Sequence, residues 1–298
     1  MASKRSVLIT GCSKGGLGDV LARAFHAHGL RVIATARNPS KIEHLKSLGI
    51  ETLTLDVTSQ ESIKTCIQEV TNLTGGSLDI LLNNSGGGYH LPLTDVSIDA
   101  AREVFDLNVW AVLSMVQAFL PLLLKSSYGG MIANNTSLAS VAAVPLQGIY
   151  NASKAAAASL TETLRLELLP FGIKVVDMKT GAVRSEFYAN MSANVKDKTG
   201  APLALPNGSM YEVAREEIEG ILRGDVMGSR MVDPDRWAEQ VVGDLTRESP
   251  PATVWRGGSA NLVWFGAKFF PTFLWDRLMR AAGGLDIVDK RLNEQGRQ

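Results

Sequence analysis

The sequence predicts an α/β protein, built as one domain (1–298) around a doubly wound parallel sheet. Three observations carry this. Short apolar runs alternate with longer amphipathic ones from Val7 to Met178, the joins between them are short, and a glycine cluster separates the first strand from the first helix. Repeated strand–helix units with short joins make successive strands parallel and place helices on both faces of the sheet. At 298 residues and 45% hydrophobic, the chain can bury one large core.

Residues 7–10 read as the first buried strand, and a helix carrying Leu21, Ala22, Phe25 and Ala27 follows the glycine loop. The second strand is 31–36, followed by a short helix at 40–48 and a third strand at 51–55 that ends at Asp56. A helical run at 59–73 leads to the fourth strand, 79–82, closed by Asn83-Asn84. Long helices near 100–124 and 150–168 bracket a fifth strand at 130–135, and 173–178 is a sixth. Periodicity fades after Gly181. Residues 184–230 form a variable substrate-loop region, and 190–210, rich in Asn, Gly, Pro and Lys, reads either as a lid or as a surface loop. Residues 255–298 form an aromatic C-terminal extension.

Composition excludes several classes. Lys+Arg and Asp+Glu balance at 30 each with no strongly basic run, so no footprint for nucleic-acid phosphates exists. Cys12 and Cys66 stand apart from any ligand pattern, which argues against a disulfide framework and predicts no metal site. The apolar run after Met1–Arg5 is too short for a secretory signal, so a cytoplasmic, reducing compartment is expected.

The loop Thr10-Gly11-Cys12-Ser13-Lys14-Gly15-Gly16-Leu17-Gly18 joins a strand to a helix. Glycines there permit close approach, and the helix start offers N–H groups to a pyrophosphate. Gly11, Ser13, Lys14, Gly16 and Leu17 are the expected dinucleotide contacts. After the second strand the chain reads Ala34-Thr35-Ala36-Arg37-Asn38, with a guanidinium where a ribose-binding carboxylate would select an unphosphorylated cofactor. Arg37 and Lys14 therefore favour NADPH/NADP+, unless both are solvated surface charges. Asp56, beside Val57, suits the adenine amino group or an ordinary helix cap. Asn84 and Gly86 permit a tight contact with the cofactor ribose.

Tyr150-Asn151-Ala152-Ser153-Lys154 places a phenol and an ammonium one helical turn apart, thirteen residues after Ser137. The cation can then sit beside the phenol and lower its pKa, and a hydroxyl from another element can hold a substrate oxygen. An isolated pair at this spacing is more often a packed tyrosine and a solvated lysine.

Taken with the glycine loop and Asn83-Asn84-Ser85-Gly86, these residues resemble the short-chain dehydrogenase/reductase family, with its Rossmann-type sheet, through about residue 260. The resemblance implies a catalytic tetrad of Asn108, Ser137, Tyr150 and Lys154. In it, Ser137 and Tyr150 grip a ketone oxygen, Tyr150 supplies the proton, and Lys154 lowers the phenol pKa and relays protons through the Asn108 region. Within the family, the extended glycine loop, the 31–38 run and Gly88-Tyr89-His90 are similar to fungal NADPH-dependent 1-acyldihydroxyacetone-phosphate reductases and related secondary-metabolite ketoreductases. Two departures stand out. The glycine spacing is one residue longer than the common pattern, so the turn should bulge. Thr180 replaces the usual proline before Gly181, which predicts a less rigid loop near Val183 and Ser185, the expected nicotinamide contacts.

Tyr89, His90, Leu138, Gln147, Phe187 and Tyr188 are the substrate candidates, with Ala142, Val144 and Met191 nearby; His90 reads equally as a loop hydrogen-bonding residue. This mostly apolar set suits a lipid-like or polyketide ketone. The tail holds Trp255, Trp264, Phe265, Phe269, Phe270, Phe273 and Trp275, but Lys268 and Pro271 break it up too often for a spanning helix. It reads as a buried or oligomer-contacting face, or as a peripheral patch on an intracellular membrane or lipid droplet. The resemblance implies a homodimer or homotetramer. The predicted function is NADPH-dependent ketone reduction. The alternatives are a non-redox isomerase or cyclase and a dinucleotide-sensing binding protein.

Overall fold

A computed structural model of the chain describes residues 4–187, 204–224 and 228–296. Seven parallel strands, β1 (Ser6–Ile9), β2 (Arg31–Ala36), β3 (Glu51–Thr54), β4 (Ile80–Asn83), β5 (Met131–Asn135), β6 (Lys174–Thr180) and β7 (Thr253–Arg256), form one sheet in the order β3-β2-β1-β4-β5-β6-β7. The order reverses at β1, so β1 and β4 splay the loops at their C-terminal ends and open a crevice there.

Alternation along each strand sorts side chains to two faces. Val7 and Ile9 enter one core with α1 (Leu17–Ala27) and α7 (Pro234–Leu245), while Leu8 enters the other with α2 (Gln60–Thr74) and α4 (Ala111–Leu123). Both faces are covered, which is why β1 and β4 are buried throughout and apolar but for Ser6 and Asn83 at their ends. On α7, Trp237, Val241, Val242 and Leu245 are fully buried against α1. At about 2 kcal/mol for each such side chain, this interface is a main support of the nucleotide half. Ser59 caps α2 through Ser62 N, and Asp233, with Pro234 following, caps α7 through Arg236 N.

Helix α3 (Ile98–Phe105) passes through a π turn, Asp106–Trp110, into α4. Together these residues are long and apolar enough to cross a membrane, yet Met115, Val116 and Phe119 are packed in the core beneath the sheet. Helix α5 (Gly148–Leu168) follows β5.

The sequence reading stops at six strands. The seventh lies 73 residues beyond β6 in the chain and is only four residues long, so no periodicity marks it. It is defined by pairing, Asp177 through Thr180 against Thr253 through Arg256. Helix α6 (Arg215–Arg223), within the substrate-loop region, packs Ile218 and Leu222 against Tyr89, Leu205 and Val288. The aromatic extension folds as α8 (Ala260–Phe269), α9 (Thr272–Ala282) and α10 (Leu285–Gln295). Its two faces differ. Trp255, Trp275 and Met279 pack against Leu138, Ala142 and Val144, whereas Phe269 and Phe273 are 61% and 77% exposed. Gly266 is where the hairpin closes, since a Cβ there would sit 2.4 Å from the Trp275 ring.

Candidate active site

The site is assembled at the C-terminal ends of β1, β4, β5 and β6 by a line of side-chain hydrogen bonds. Thr10 Oγ1 accepts from the N–H groups of Asn84 and Ser85, both at 2.9 Å. Asn84 Nδ2 donates to Thr10 O at 2.9 Å, and Asn84 Oδ1 accepts from Asn135 Nδ2 at 2.9 Å. Asn135 Oδ1 in turn accepts from Thr180 Oγ1 at 2.6 Å. Four strands are thereby held in register where the loops diverge. Thr180 explains how the chain does without proline: its hydroxyl and the bond from Gly181 N to Arg256 O (2.8 Å) hold the loop that the sequence predicted to be loose.

The glycine loop sits over β1. Gly11 and Gly15 have φ of 73° and 78°, which favours glycine, and Gly15 N donates to Asp19 Oδ2 at 3.1 Å, closing the predicted bulge. Gly18 has no room for a side chain: its Cβ would lie 2.4 Å from Gly11 O and 2.7 Å from Asn84 Nδ2. Gly16 occupies the N-cap of α1 and no side chain caps that turn, leaving its N–H groups to an anion. Arg37 and Lys14 are exposed at the rim, and Lys14 N bonds Lys41 O at 2.9 Å, tying the loop to the segment after β2. These features fit a phosphorylated dinucleotide. Asp56 spends Oδ1 on Thr58 N and Oγ1, forming a turn ahead of the Ser59 cap, and Val57 packs inward.

Asn108 lies in the π turn and is 2% exposed. Its Oδ1 accepts from Gly87 N and its Nδ2 donates to Gly87 O, both at 2.9 Å, while Nδ2 also donates to Ser153 Oγ at 3.0 Å. Both amide protons are committed, so this side chain clamps the loop after β4 to α5. Gly86 is pinned beneath it, since its Cβ would be 3.2 Å from Asn108 Oδ1 and 3.3 Å from Lys154 Nζ.

Lys154 is 6% exposed and donates to Asn135 O at 2.9 Å. Burial pushes its ammonium down to about 8, opposed by the negative charge of Asp177. Tyr150 is half-buried on the same face of α5, its ring centroid 5.8 Å from Lys154 Nζ. Ser137 is buried at the end of β5, where its Oγ accepts from Ala139 N at 3.1 Å and keeps its own proton to donate. Asn108 and Lys154 thus flank Gly86, Tyr150 lies beside Lys154, and Ser137 stands two residues beyond Asn135, whose carbonyl accepts from Lys154.

Around Tyr150 stand His90, at 6.0 Å between ring centroids, and Phe187, at 5.8 Å. Desolvation pushes His90 down to about 4, so its imidazole is neutral near pH 7. Leu138 joins the cluster under the aromatic hairpin, and Gln147 takes the N-cap position of α5. Tyr89 is 4% exposed, its hydroxyl accepting from Ser97 N at 3.2 Å, and it belongs to the packing under α6. Val183 pairs with Val232, Ser185 Oγ donates to Val183 O at 3.4 Å, and Glu186 N bonds Gly15 O at 3.1 Å, drawing this loop to the glycine loop. Tyr188, Met191 and most of 190–210 lie outside the described residues.

Sequence reasoning missed several contributors. Thr10 and Asn135 look like ordinary strand-end residues until β1 and β5 are placed beside β4. Asp19, buried in the first turn of α1, accepts from Gly15 N and lies 2.9 Å from His44 Nε2; its position three residues after Gly16 was the available signal. Asp177 and Lys179, adjacent on one face of β6, form a 2.7 Å ion pair in the core. Both cysteines are buried, their thiols pushed up to about 12, and they act as packing residues.

A glycine cradle at the switch point of a parallel sheet, next to a hydroxyl, a phenol and a buried ammonium, defines a dinucleotide-dependent oxidoreductase. Residues 5–196 match the family described as short chain dehydrogenase. The chain is 46% identical over 292 residues to a short-chain dehydrogenase/reductase of Pestalotiopsis microspora, covering 98% of both proteins. It is 38% identical over 218 residues to the NADPH-dependent 1-acyldihydroxyacetone phosphate reductase of Schizosaccharomyces pombe, covering 73% of this chain and 71% of that one. Among solved structures, a short-chain dehydrogenase from Streptomyces avermitilis superposes with a TM-score of 0.74 at 27% identity, over 100% of this chain and 97% of the other. The chain belongs to the short-chain dehydrogenase family and is an oxidoreductase.

Proposed function

We propose that this protein reduces a ketone to a secondary alcohol with NADPH, on a lipid-like or polyketide substrate. The observation that supports this reading is the buried Lys154 ammonium beside Tyr150, bonded to Asn135 two residues before Ser137, in a chain whose glycine loop carries the exposed Lys14 and whose second strand is followed by the exposed Arg37. NADP(H) is the cofactor. The two rim cations suit a 2′-phosphate, no carboxylate follows β2 to hold a free ribose hydroxyl, and the relative from Schizosaccharomyces pombe is NADPH-dependent. When bound, NADPH supplies the hydride.

The chain's own residues do the rest. The Ser137 and Tyr150 hydroxyls hold the carbonyl oxygen, and Tyr150 gives it a proton as negative charge develops. Lys154 stabilises the phenolate left behind. Asn108 takes no proton. With both amide protons committed to Gly87 and Ser153, it positions Gly86 and α5.

The apolar wall of Leu138, Val144, Trp275 and Met279 and the neutral His90 favour a substrate with an acyl or polyketide body. A phosphate-bearing substrate would want a cationic clamp, and Arg184, the arginine available after β6, is paired with Asp233 at 3.0 Å. The outer face of the aromatic hairpin, with Phe269 and Phe273 exposed beside Lys268 and Trp264, supports peripheral contact of a cytoplasmic protein with a lipid surface. Trp110, Leu124, Leu166 and Leu169 leave apolar groups exposed on the α4 and α5 side, the face a homodimer or homotetramer would cover.

Tyr150→Phe retains NADPH binding and loses most ketone reduction in stopped-flow NADPH oxidation; near-wild-type turnover would remove Tyr150 from the acid role. The substrate class is decided by NADPH consumption with product mass analysis, across acyl-dihydroxyacetone phosphates and aromatic polyketide ketones.

A further inference from the structure

The extra residue of the glycine loop leaves an N–H group that the turn itself does not close. Gly16 N returns to Ser13 O at 2.9 Å, but Gly15 N finds its acceptor in a side chain, Asp19 Oδ2 at 3.1 Å. Asp19 is 6% exposed and stands in the first turn of α1. A carboxylate there favours the helix start yet opposes an anion bound at the same turn, unless its charge is engaged elsewhere. It is engaged: Asp19 Oδ1 lies 2.9 Å from His44 Nε2 and 3.7 Å from Arg23 Nε. A carboxylate only accepts, so the imidazole proton in this contact is on Nε2.

His44 belongs to another segment. It lies in the short helix Glu43–Lys46 after β2, which continues the turn Pro39–Ile42. Ile42 and Leu45 anchor this segment in the core that also holds Val20 and Leu21 of α1. A second tie runs beside the first. Lys14 N donates to Lys41 O at 2.9 Å, and Lys41 N donates to Asn38 O at 3.1 Å, one residue from Arg37. Two separate connections therefore join the glycine loop to the segment after β2, one at Lys14 and one at Gly15 through Asp19 and His44. The exposed cations Lys14 and Arg37 are carried on the two segments so joined.

We propose that Asp19 and His44 are positioning residues for cofactor choice: by tying the glycine loop to the segment after β2, they fix the bases of Lys14 and Arg37 so that both cations engage the 2′-phosphate of NADPH. The inference rests on the reading of those two cations as the phosphate partners. Contacts to the pyrophosphate are common to NADH and NADPH, whereas a pair of cations on different loops serves the phosphorylated cofactor alone. Long side chains lose freedom when they close on an ion, and a fixed base lessens that loss. With the tie cut, the cradle closed by Gly11, Gly18 and Asn84 persists, but the two cations are no longer held to one spacing.

The test is the pair of dissociation constants for NADPH and NADH, read by nucleotide fluorescence on the full chain. His44→Leu cuts the tie and leaves Gly15 N bonded to Asp19. Its NADPH constant rises about tenfold, as for one lost charge-assisted contact, while its NADH constant changes by less than about threefold. Asp19→Asn combined with His44→Leu keeps an oxygen for Gly15 N, removes the charge and gives the same selective loss, so a stranded carboxylate is not the cause. His44→Gln offers Asp19 an N–H again and restores the wild-type ratio of the two constants. A merely structural role would lower both affinities alike. A wild-type ratio in both proteins carrying His44→Leu overturns the inference. Arg37→Asp tells the two failures apart. Equal changes in that variant remove the 2′-phosphate contact and the inference with it, whereas a loss confined to NADPH there, with a wild-type ratio in His44→Leu, removes only the tie.

Discussion

Replacing Lys154 by methionine removes the buried ammonium at the centre of the site while keeping most of its apolar stem. In the folded protein this group sits at about 8, against 10.5 for an ordinary lysine. At about 1.4 kcal/mol per pH unit, the difference corresponds to about 3 kcal/mol. The sign follows from proton counting. Between pH 8 and 10.5 the unfolded chain binds more protons at this position than the native state, so stability rises with pH across that window. The cost is fully present below about pH 8 and relieved towards 10.5. Methionine escapes it but forfeits the 2.9 Å bond to Asn135 O, worth about 1.5 kcal/mol. At pH 7, Lys154→Met is therefore about 1–2 kcal/mol more stable than the wild type, although inactive. By pH 10 that advantage is lost, and the lost hydrogen bond makes the variant the less stable protein. Urea denaturation of both proteins at pH 7 and pH 10, followed by far-ultraviolet circular dichroism, measures the change. A stability difference that is the same at both pH values would refute the argument.

Gly18→Ala places a methyl group 2.4 Å from Gly11 O and 2.7 Å from Asn84 Nδ2, so it destabilises the fold by about 2 kcal/mol and weakens NADPH binding, read by nucleotide fluorescence. Wild-type affinity would show that the cradle is looser than drawn. Arg37→Asp weakens NADPH more than NADH, because it sets a like charge against the 2′-phosphate; equal changes in the two dissociation constants reject that contact. The pair Phe269→Ser and Phe273→Ser abolishes cosedimentation with phospholipid vesicles while sparing reduction of a water-soluble ketone. Unchanged vesicle binding removes the aromatic hairpin from that role.

The proposed function gives the two faces of the C-terminal hairpin different expected roles. One face packs Trp275 and Met279 against Leu138 and Val144, while the other leaves Phe269 and Phe273 to the outside. Substitutions on the inner face are expected to alter which ketones are accepted, and those on the outer face where the protein resides.

Much of this was legible in the chain because it depends on local order. The 3.6 and 2.0 periodicities dictate the first six strands and their helices, since the pattern of burial repeats with the backbone. The glycine loop, the Tyr150–Lys154 turn and the absence of a carboxylate after β2 are short-range features, and the chemistry they imply follows from the residues present. Tertiary structure alone decided what depends on distant neighbours. The seventh strand exists because β6 offers it an edge. Thr180 stands in for a proline because Asn135 is within 2.6 Å. Asn108 became a clamp when the π turn aimed its amide at Gly87 and Ser153. The aromatic tail, one composition in the sequence, was divided by packing into an inward face against Leu138 and an outward face. Burial, pairing and charge environment are properties of contacts between segments tens of residues apart, and a one-dimensional pattern cannot carry them.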